Sequence, residues 1–145
     1  MIRIYTIGYQ GQSIDSFLDQ LLAHGIEQVI DVRQLPFSRK PDFSKKRLTA
    51  HLVGVGIDYF HLAALGTPKA LRDEVRHSHD YVAFFAAMRT LVAAQPAAVH
   101  AARDLVRARP SALLCFEANH SECHRLVVAE AVVQAASDPS LIVHL

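Results

Sequence analysis

The only two cysteines of the chain, Cys115 and Cys123, stand eight residues apart in "LLCFEANHSECHR". With Glu117, His124 and Arg125 they bring two thiols, a carboxyl, an imidazole and a guanidinium into eleven consecutive residues. An apolar run ends at Cys115 and Phe116, a polar stretch follows, and an apolar run of helical rhythm begins after Cys-His-Arg. That pattern reads as strand end, loop and helix start. Asn119 or Ser121 would cap the helix and leave Cys123, His124 and Arg125 in its first turn, where free N–H groups and the helix dipole welcome an anion. A thiolate at Cys123 is stabilised in such a place. Glu117, two residues past Cys115, shares its side of a strand and can act as base or nucleophile.

Arg125 carries a fork suited to carboxylate or phosphate. A cation in a first helical turn opposes the dipole, so it needs a partner. That partner is a bound anion or a buried acid such as Asp31 or Glu117. The plain alternatives are structural: Cys115 as a small core residue inside "ALLCF", Cys123 as a buried cysteine at the helix start, and His124 as a brace for the loop. Cys115, His120, Cys123 and His124 are competent zinc or iron ligands. Their spacing matches no zinc motif with close-set pairs at both ends, and neighbours on one helix point about 100° apart, so no metal site is assigned. The Cys-x5-Arg loop of phosphatases and sulfurtransferases is absent, with Ser121 and Ala129 at the required positions.

Three other segments concentrate unusual polar residues. "TIGYQG" sets two glycines around Tyr9 and Gln10, and Gly8 allows a sharp turn or close approach to a ligand. It is not GxGxxG, so no dinucleotide fold follows. "DVRQLPFSRKPDFSKKR" places Asp31 and Arg33 at the end of a buried strand, where an unpaired charge is costly. Phe37 and Phe43, each followed by a serine (Ser38 and Ser44), are interleaved with cations, a combination that suits phosphates and stacked bases. A solvated basic loop is the simpler account. "DYFHLAALGTPK" ends a strand with Tyr59 and His61 on one face, and Leu65–Gly66–Thr67–Pro68 forms a tight turn over the cleft.

These segments need elements to hold them. "IRIYTIG" alternates as a strand. "SIDSFLDQLLAHG" is a helix capped by Ser13, with Ile14, Phe17, Leu18, Leu21 and Leu22 on one stripe and Gly25 as its stop. "EQVIDV" is a second strand, so a parallel βαβ unit opens the chain. Ser44 caps a short helix carrying Leu48, Leu52 and Val53 and ending at Gly54. "IDYFHL" is a third strand, and "ALGTPKALRDEVRHSHD" is a loop with a helical patch. Helices follow over "YVAFFAAMRTLVAA" and near Ala97–Arg109, separated at Pro96. "SALLCFE" is a buried central strand, "CHRLVVAEAVVQAA" a helix and "SLIVHL" the last strand.

The expected fold class is α/β: one domain over residues 1–145, three-layer, with a mostly parallel sheet of about five strands and helices on both faces. Ligands bind beyond the carboxyl ends of such strands. Those ends fall at Gly8–Gln10, Asp31–Arg33, His61–Gly66 and Cys115–Asn119, where the unusual residues lie.

Charge is balanced overall, at a formal +1, but the stretch from Arg33 to Arg47 holds six cations against Asp42. No run of eighteen apolar residues occurs, so no membrane span is expected. "MIRIYTIGY" lacks the regions of a secretory signal. The expectation is an intracellular, cytoplasmic protein with reduced thiols. Nothing in the residues names a cofactor or an oligomeric state.

Taken together, "YTIGYQG", "VIDVRQLPFSRKPDFSKKRL", "GIDYFHLAALGTPKALRD", "LLCFEANHSECHR" and "IVHL" resemble the family catalogued as domain of unknown function 488, in its TIGY-x-G form. The resemblance runs in order from Tyr5 to Leu145. It implies a compact α/β domain of bacterial or archaeal type and no established reaction. The positions it carries over are Thr6, Gly8, Asp31, Arg33, Pro36, Ser38, Tyr59, Leu65, Gly66, Cys115, Glu117, Cys123, His124 and Arg125. Many members have His-Ser where this chain has Tyr9 and Gln10, and a glycine where it has Thr67. That departure argues against a general acid at position nine. Some members carry a DNA-repair label, in keeping with the basic segment.

The resulting expectation is an enzyme acting on an anionic small molecule, nucleotide-like, or on nucleic acid. Glu117, Cys123, His124 and Asp31 would be catalytic. Thr6, Gly8, Tyr9, Arg33, Ser38, Tyr59, Gly66, Cys115 and Arg125 would bind substrate. The rivals are a non-catalytic nucleic-acid-binding or DNA-repair accessory module and a metal or thiol-redox protein.

Overall fold

An unbroken apolar run can be a strand only if both of its faces are covered, and "SALLC" is buried at all five positions. In the computed structural model, which describes residues 2–145, this run is the central strand β4 (Ser111–Cys115). Around it lie β1 (Ile2–Gly8), β2 (Gln28–Asp31), β3 (Asp58–His61) and β5 (Ser140–His144). The helices are α1 (Ile14–Ala23), α2 (Lys45–Gly54), α3 (Lys69–Ser78), α4 (Tyr81–Ala93), α5 (Pro96–Ala108) and α6 (Arg125–Ala136). The strands form one sheet in the order β3-β2-β4-β1-β5, every pair parallel. The expected three-layer α/β architecture is present, and the sheet is wholly parallel.

Two apolar clusters show how the layers are built. One joins Tyr5, Ile7, Ala112 and Leu114 of the sheet to Phe17, Leu18 and Leu21 of α1 and Leu48 and Leu52 of α2. The other joins Ile4, Ile30 and Leu113 to Met88 of α4, Ala102 of α5 and Val127, Val128 and Val132 of α6. Alternate residues of β1 and β4 thus serve opposite faces, as strand geometry requires.

This arrangement decides where a site can form. From β1 the chain leaves along α1 on one face, passes β4 and enters β2. From β4 it leaves along α6 on the other face, passes β1 and enters β5. The two connections lie on opposite faces, and beyond the strand ends β1 and β4 stay bonded, Tyr9 N to Cys115 O at 3.3 Å and Gln10 N to Phe116 O at 2.9 Å, at the rim where open parallel sheets take ligands. Gly8 pairs with Cys115 and Asp31 with Leu114 at that rim. The Asp31 turn and the Cys-His-Arg segment therefore stand side by side.

Glycine is required at two points of the rim. A Cβ on Gly8 would lie 1.7 Å from the carbonyl oxygen of Glu117, and one on Gly66 would lie 2.1 Å from the backbone nitrogen of Gln34. Backbone packs on backbone there, and the loops after β1, β2, β3 and β4 lock together.

Several boundaries differ from the sequence expectation. The segment after Pro68 is a full ten-residue helix, α3, in place of a loop with a helical patch; Lys69 and Asp73 bridge one turn at 2.7 Å. Helix α6 starts at Arg125, so Cys123 and His124 precede it instead of occupying its first turn. Asn119 instead caps a short 3₁₀ turn over His120–Glu122, its Oδ1 accepting from Ser121 N at 3.0 Å. Ser44 does precede α2, but its hydroxyl accepts from Ser38 N and donates to Ser38 O instead of capping. Val53, expected on the apolar stripe of α2, is exposed. Among the described residues no single helix is long and apolar enough to cross a membrane.

Gly8→Ala is expected to lower unfolding free energy by about 3 kcal/mol, because main chain cannot yield to the added carbon. Gly54→Ala, at a helical position with open space around it, is expected to raise it by about 0.5 kcal/mol. Urea denaturation of the two variants checks the contrast.

Candidate functional site

A cleft of about 760 Å³ opens at the rim. Cys115, Glu117 and His124 border it from the ends of β4 and α6. Gln34, Leu35, Phe37, Ser38, Arg39 and Lys40 form one wall, and Thr67, Arg72, Val75, Arg76, Tyr81 and Phe84 form the other.

The sulfur atoms and the imidazole converge behind its floor. The Nδ1 atom of His124 lies 3.5 Å from Cys115 Sγ and 3.8 Å from Cys123 Sγ. Its Nε2 lies 2.7 Å from the carbonyl oxygen of Val32. A carbonyl only accepts, so Nε2 carries a proton and donates it there, leaving Nδ1 turned to the thiols. Cys115 Sγ also contacts Glu117 Oε2 at 3.6 Å. Both cysteines are buried and free. Cys123 reaches the group because its backbone is extended, at φ −130° and ψ 139°. The cluster lies ahead of the helix, so the 100° divergence expected of adjacent helical residues does not apply.

These neighbours shift one another's ionisation. Burial alone would raise the Cys123 thiol, but the hydrogen bond from Cys115 and the adjacent His124 and Arg125 charges outweigh it and hold Cys123 well below the ordinary thiol range. Cys115 moves the other way, raised by its hydrogen bond to Cys123 and by burial. Burial would lower His124, yet the Cys123 charge raises it above its ordinary value. Glu117 is pushed up to about 7, by burial first and then by the charge on Cys123.

Beside the cluster, Asp31 is completely buried and fully engaged. Arg33 donates to it from Nε at 2.9 Å, from Nη2 at 2.7 Å and from its backbone N at 3.1 Å, and the Tyr59 hydroxyl donates at 2.5 Å. Arg33 is completed by the carbonyl of Phe43 at 2.8 Å. Burial would lower the Arg33 pKa, but the bonds to Asp31 raise it above its ordinary value. Tyr59 is raised by burial and by Asp31. Arg33 reaches the cleft wall with its charge held in place. Asp31 and Tyr59 position it, and neither contacts the sulfur cluster.

Arg125 is also fully buried. It meets neither an acid nor the cleft: its Nη1 donates to the carbonyl of Glu117 and its Nη2 to that of Ala118 at 3.2 Å. It braces the loop between the cysteines from inside. Thr6 is buried too, with Oγ1 2.5 Å from His144 Nδ1, away from the cleft lining. His120, a competent metal ligand by type, stacks on His144 at 3.6 Å between centroids and stands outside the sulfur cluster. Tyr9 stacks on Phe43 at 4.6 Å and lies beneath the Arg33 guanidinium at 5.4 Å, so it supports the cation from the cleft floor. Ser38 lines the wall, while Gly8 and Gly66 serve the close packing of the loops.

Of the second wall, sequence reasoning placed the turn at Thr67 over the cleft but missed Arg72 and Arg76. Thr67, Arg72 and Arg76 face the cleft, and neither Thr67 Oγ1 nor Arg72 Nε has a hydrogen-bond partner among the described residues, though both atoms are buried. The available signal was the i, i+4 spacing of Arg72 and Arg76 beside Leu71 and Val75.

The family model "Domain of unknown function DUF488" matches residues 13–132. That span contains the basic loop, α3 and the whole Cys115–Arg125 segment. Thr6, Gly8 and Tyr9 lie before it. No curated protein and no solved structure matches the chain.

Asp31→Ala is expected to cost about 3–5 kcal/mol, since it strands the Arg33 charge in the interior. Adding Arg33→Met should recover most of that loss in a denaturation series. A second expectation concerns His144, whose pKa is lowered to about 4 by burial and by the charges of His120 and Arg125. A lowered folded value means that the unfolded chain binds the proton first. The contribution is intact above about pH 6.5. Stability relative to His144→Leu should then decline as pH falls toward 4, as followed by thermal denaturation across that range.

Proposed function

The chain belongs to the family described as Domain of unknown function DUF488, and for this member we propose an enzyme that acts on an anionic, nucleotide-like or nucleic-acid substrate in the rim cleft. The observation that carries this reading is the composition of the cleft lining. Arg39, Lys40, Arg72 and Arg76, together with the Asp31-clamped Arg33, line it against two carboxylates, Glu117 and Glu122. A low-dielectric recess with that excess of cations concentrates anions.

The aromatic residues add a second requirement. Phe37 is 74% exposed and Phe116 38% exposed at the cleft mouth. Flat apolar rings beside cations suit a base stacked next to its phosphate. The unpartnered Thr67 Oγ1 and Arg72 Nε offer a donor or acceptor to whatever enters, since buried polar groups are otherwise paired.

Glu117 and His124 both border the cleft, but His124 is buried with Nε2 on the Val32 carbonyl and Nδ1 turned to the thiols, so Glu117 is the group placed to exchange a proton with a bound molecule. We assign it the acid–base role. Cys123 is 1% exposed and does not border the cleft, so it acts from behind, through His124 and Cys115. Arg33 binds the anion, and Arg125 holds the loop that carries Glu117. Two buried free thiols suit a reducing, cytoplasmic setting.

The test combines binding and turnover on one set of probes: nucleoside diphosphates and short single-stranded oligonucleotides. Binding should weaken with salt, and Arg72→Ala/Arg76→Ala should reduce the slope of log K against log salt by about 0.7 for each phosphate no longer neutralised. Phe37→Ala should cost about 1–3 kcal/mol of oligonucleotide affinity if a base stacks there. Chromatography of reaction products should show Glu117→Gln slowing turnover by about 10²–10⁴-fold. Salt-dependent binding without any product would favour the non-catalytic nucleic-acid module, and salt-insensitive or absent binding would remove the anion reading.

A further inference from the structure

We propose that Cys115, Cys123 and His124 form a zinc site whose remaining coordination position opens to the cleft beside Glu117. The distances suit the ion. Zinc–sulfur bonds of about 2.3 Å and zinc–nitrogen bonds of about 2.0–2.1 Å at tetrahedral angles place sulfur about 3.5 Å from nitrogen. The observed separations from His124 Nδ1 are 3.5 Å to Cys115 Sγ and 3.8 Å to Cys123 Sγ. All three donor atoms lie within 4.8 Å of one another. Three donors gathered this closely can share one ion.

The imidazole is prepared for the same task. Its Nε2–H is committed to the Val32 carbonyl at 2.7 Å, which fixes the ring plane and keeps Nδ1, the nitrogen that would bind the ion, turned to the sulfurs. An outer hydrogen bond of that kind is what orients metal-bound histidines. Two thiolates and one imidazole are a borderline-soft donor set, which selects zinc over magnesium or calcium. Two thiolates also neutralise the charge of the ion, so a buried Zn²⁺ leaves no net charge in the interior.

Three protein ligands with an open fourth position distinguish a reactive zinc site from a closed structural one. The opening here is set by the fold. Cys115 and His124 border the cleft while Cys123 lies behind them, so the ion is approached from the side where Glu117 stands. Glu117 touches the set at Cys115, with Oε2 at 3.6 Å from its Sγ. It is placed to meet a water or substrate atom on the ion, outside the convergent three. Zinc binding itself stands independently of the cleft reading; the use of the open position rests on it.

Protein purified without a histidine tag and stripped by chelation should be titrated with Zn²⁺ against a chromophoric chelator. One zinc per chain is expected. Cys115→Ser and Cys123→Ser should each lose more than about 100-fold in affinity, beyond the loss typical of outer hydrogen-bond partners. Glu117→Gln should keep the ion. Because a cysteine variant can fail to fold, Co²⁺ binding to the unaltered chain provides the second readout, expected to show thiolate-to-cobalt charge-transfer absorption. Absence of that absorption, or zinc uptake no greater than that of Cys115→Ser/Cys123→Ser, overturns the site. Oligonucleotide affinity measured on the zinc-free protein reports on the cleft separately: its loss with zinc binding intact would remove the substrate reading and leave the ion.

Discussion

Parallel pairing of β1 with β4, in a register that sets Gly8 against Cys115, is the constraint from which the rest of the rim follows. Their outgoing helices lie on opposite faces of the sheet, and the segments that follow the two strands stay bonded, Tyr9 N to Cys115 O and Gln10 N to Phe116 O. The loops of this rim meet main chain to main chain at Gly8 and Gly66. Residues far apart along the polypeptide become neighbours at that line. Val32 and His124 share a hydrogen bond across ninety-two positions because their strands end together.

Charge is treated in two ways at this rim. Asp31 and Arg125 are both wholly buried and held by fixed partners: Asp31 by a bidentate guanidinium and a phenol, Arg125 by two carbonyls at its Nη atoms, with its Nε left without a partner among the described residues. Such groups shape their surroundings and do not present themselves to a ligand. Arg39, Lys40 and Arg76 are exposed and stand along the cleft without that confinement. Arg33 belongs to both classes, with one edge clamped by Asp31 and its side chain on the cleft wall. Burial thus separates the framework cations from those free to attract an anion.

The strand–helix–strand opening, the buried central strand and the gathering of polar residues at one rim are legible in the sequence, because each rests on local periodicity and on the common direction of parallel strands. Helix α3 is not, since none of its residues is buried and its apolar stripe reduces to Leu71 and Val75 among charges. The start of α6 is obscured because Cys-His-Arg carries no capping residue, and of the two candidates before it Asn119 caps a 3₁₀ turn and Ser121 lies within that turn. Side-chain chemistry points to an acid as the partner of Arg125, whereas the partner is the main chain, which no side-chain pattern records. Arg72 and Arg76 escape notice because a cleft wall built from a helix leaves no motif, only spacing.

The brace supplied by Arg125 has a property that follows from its chemistry. Its donors meet main-chain carbonyls, and no carboxylate takes part. The shape of the Glu117–Ala118 turn is therefore held by a contact that needs no acid as its counterpart. The thiols, imidazole and carboxyl nearby stay outside the contact that frames them.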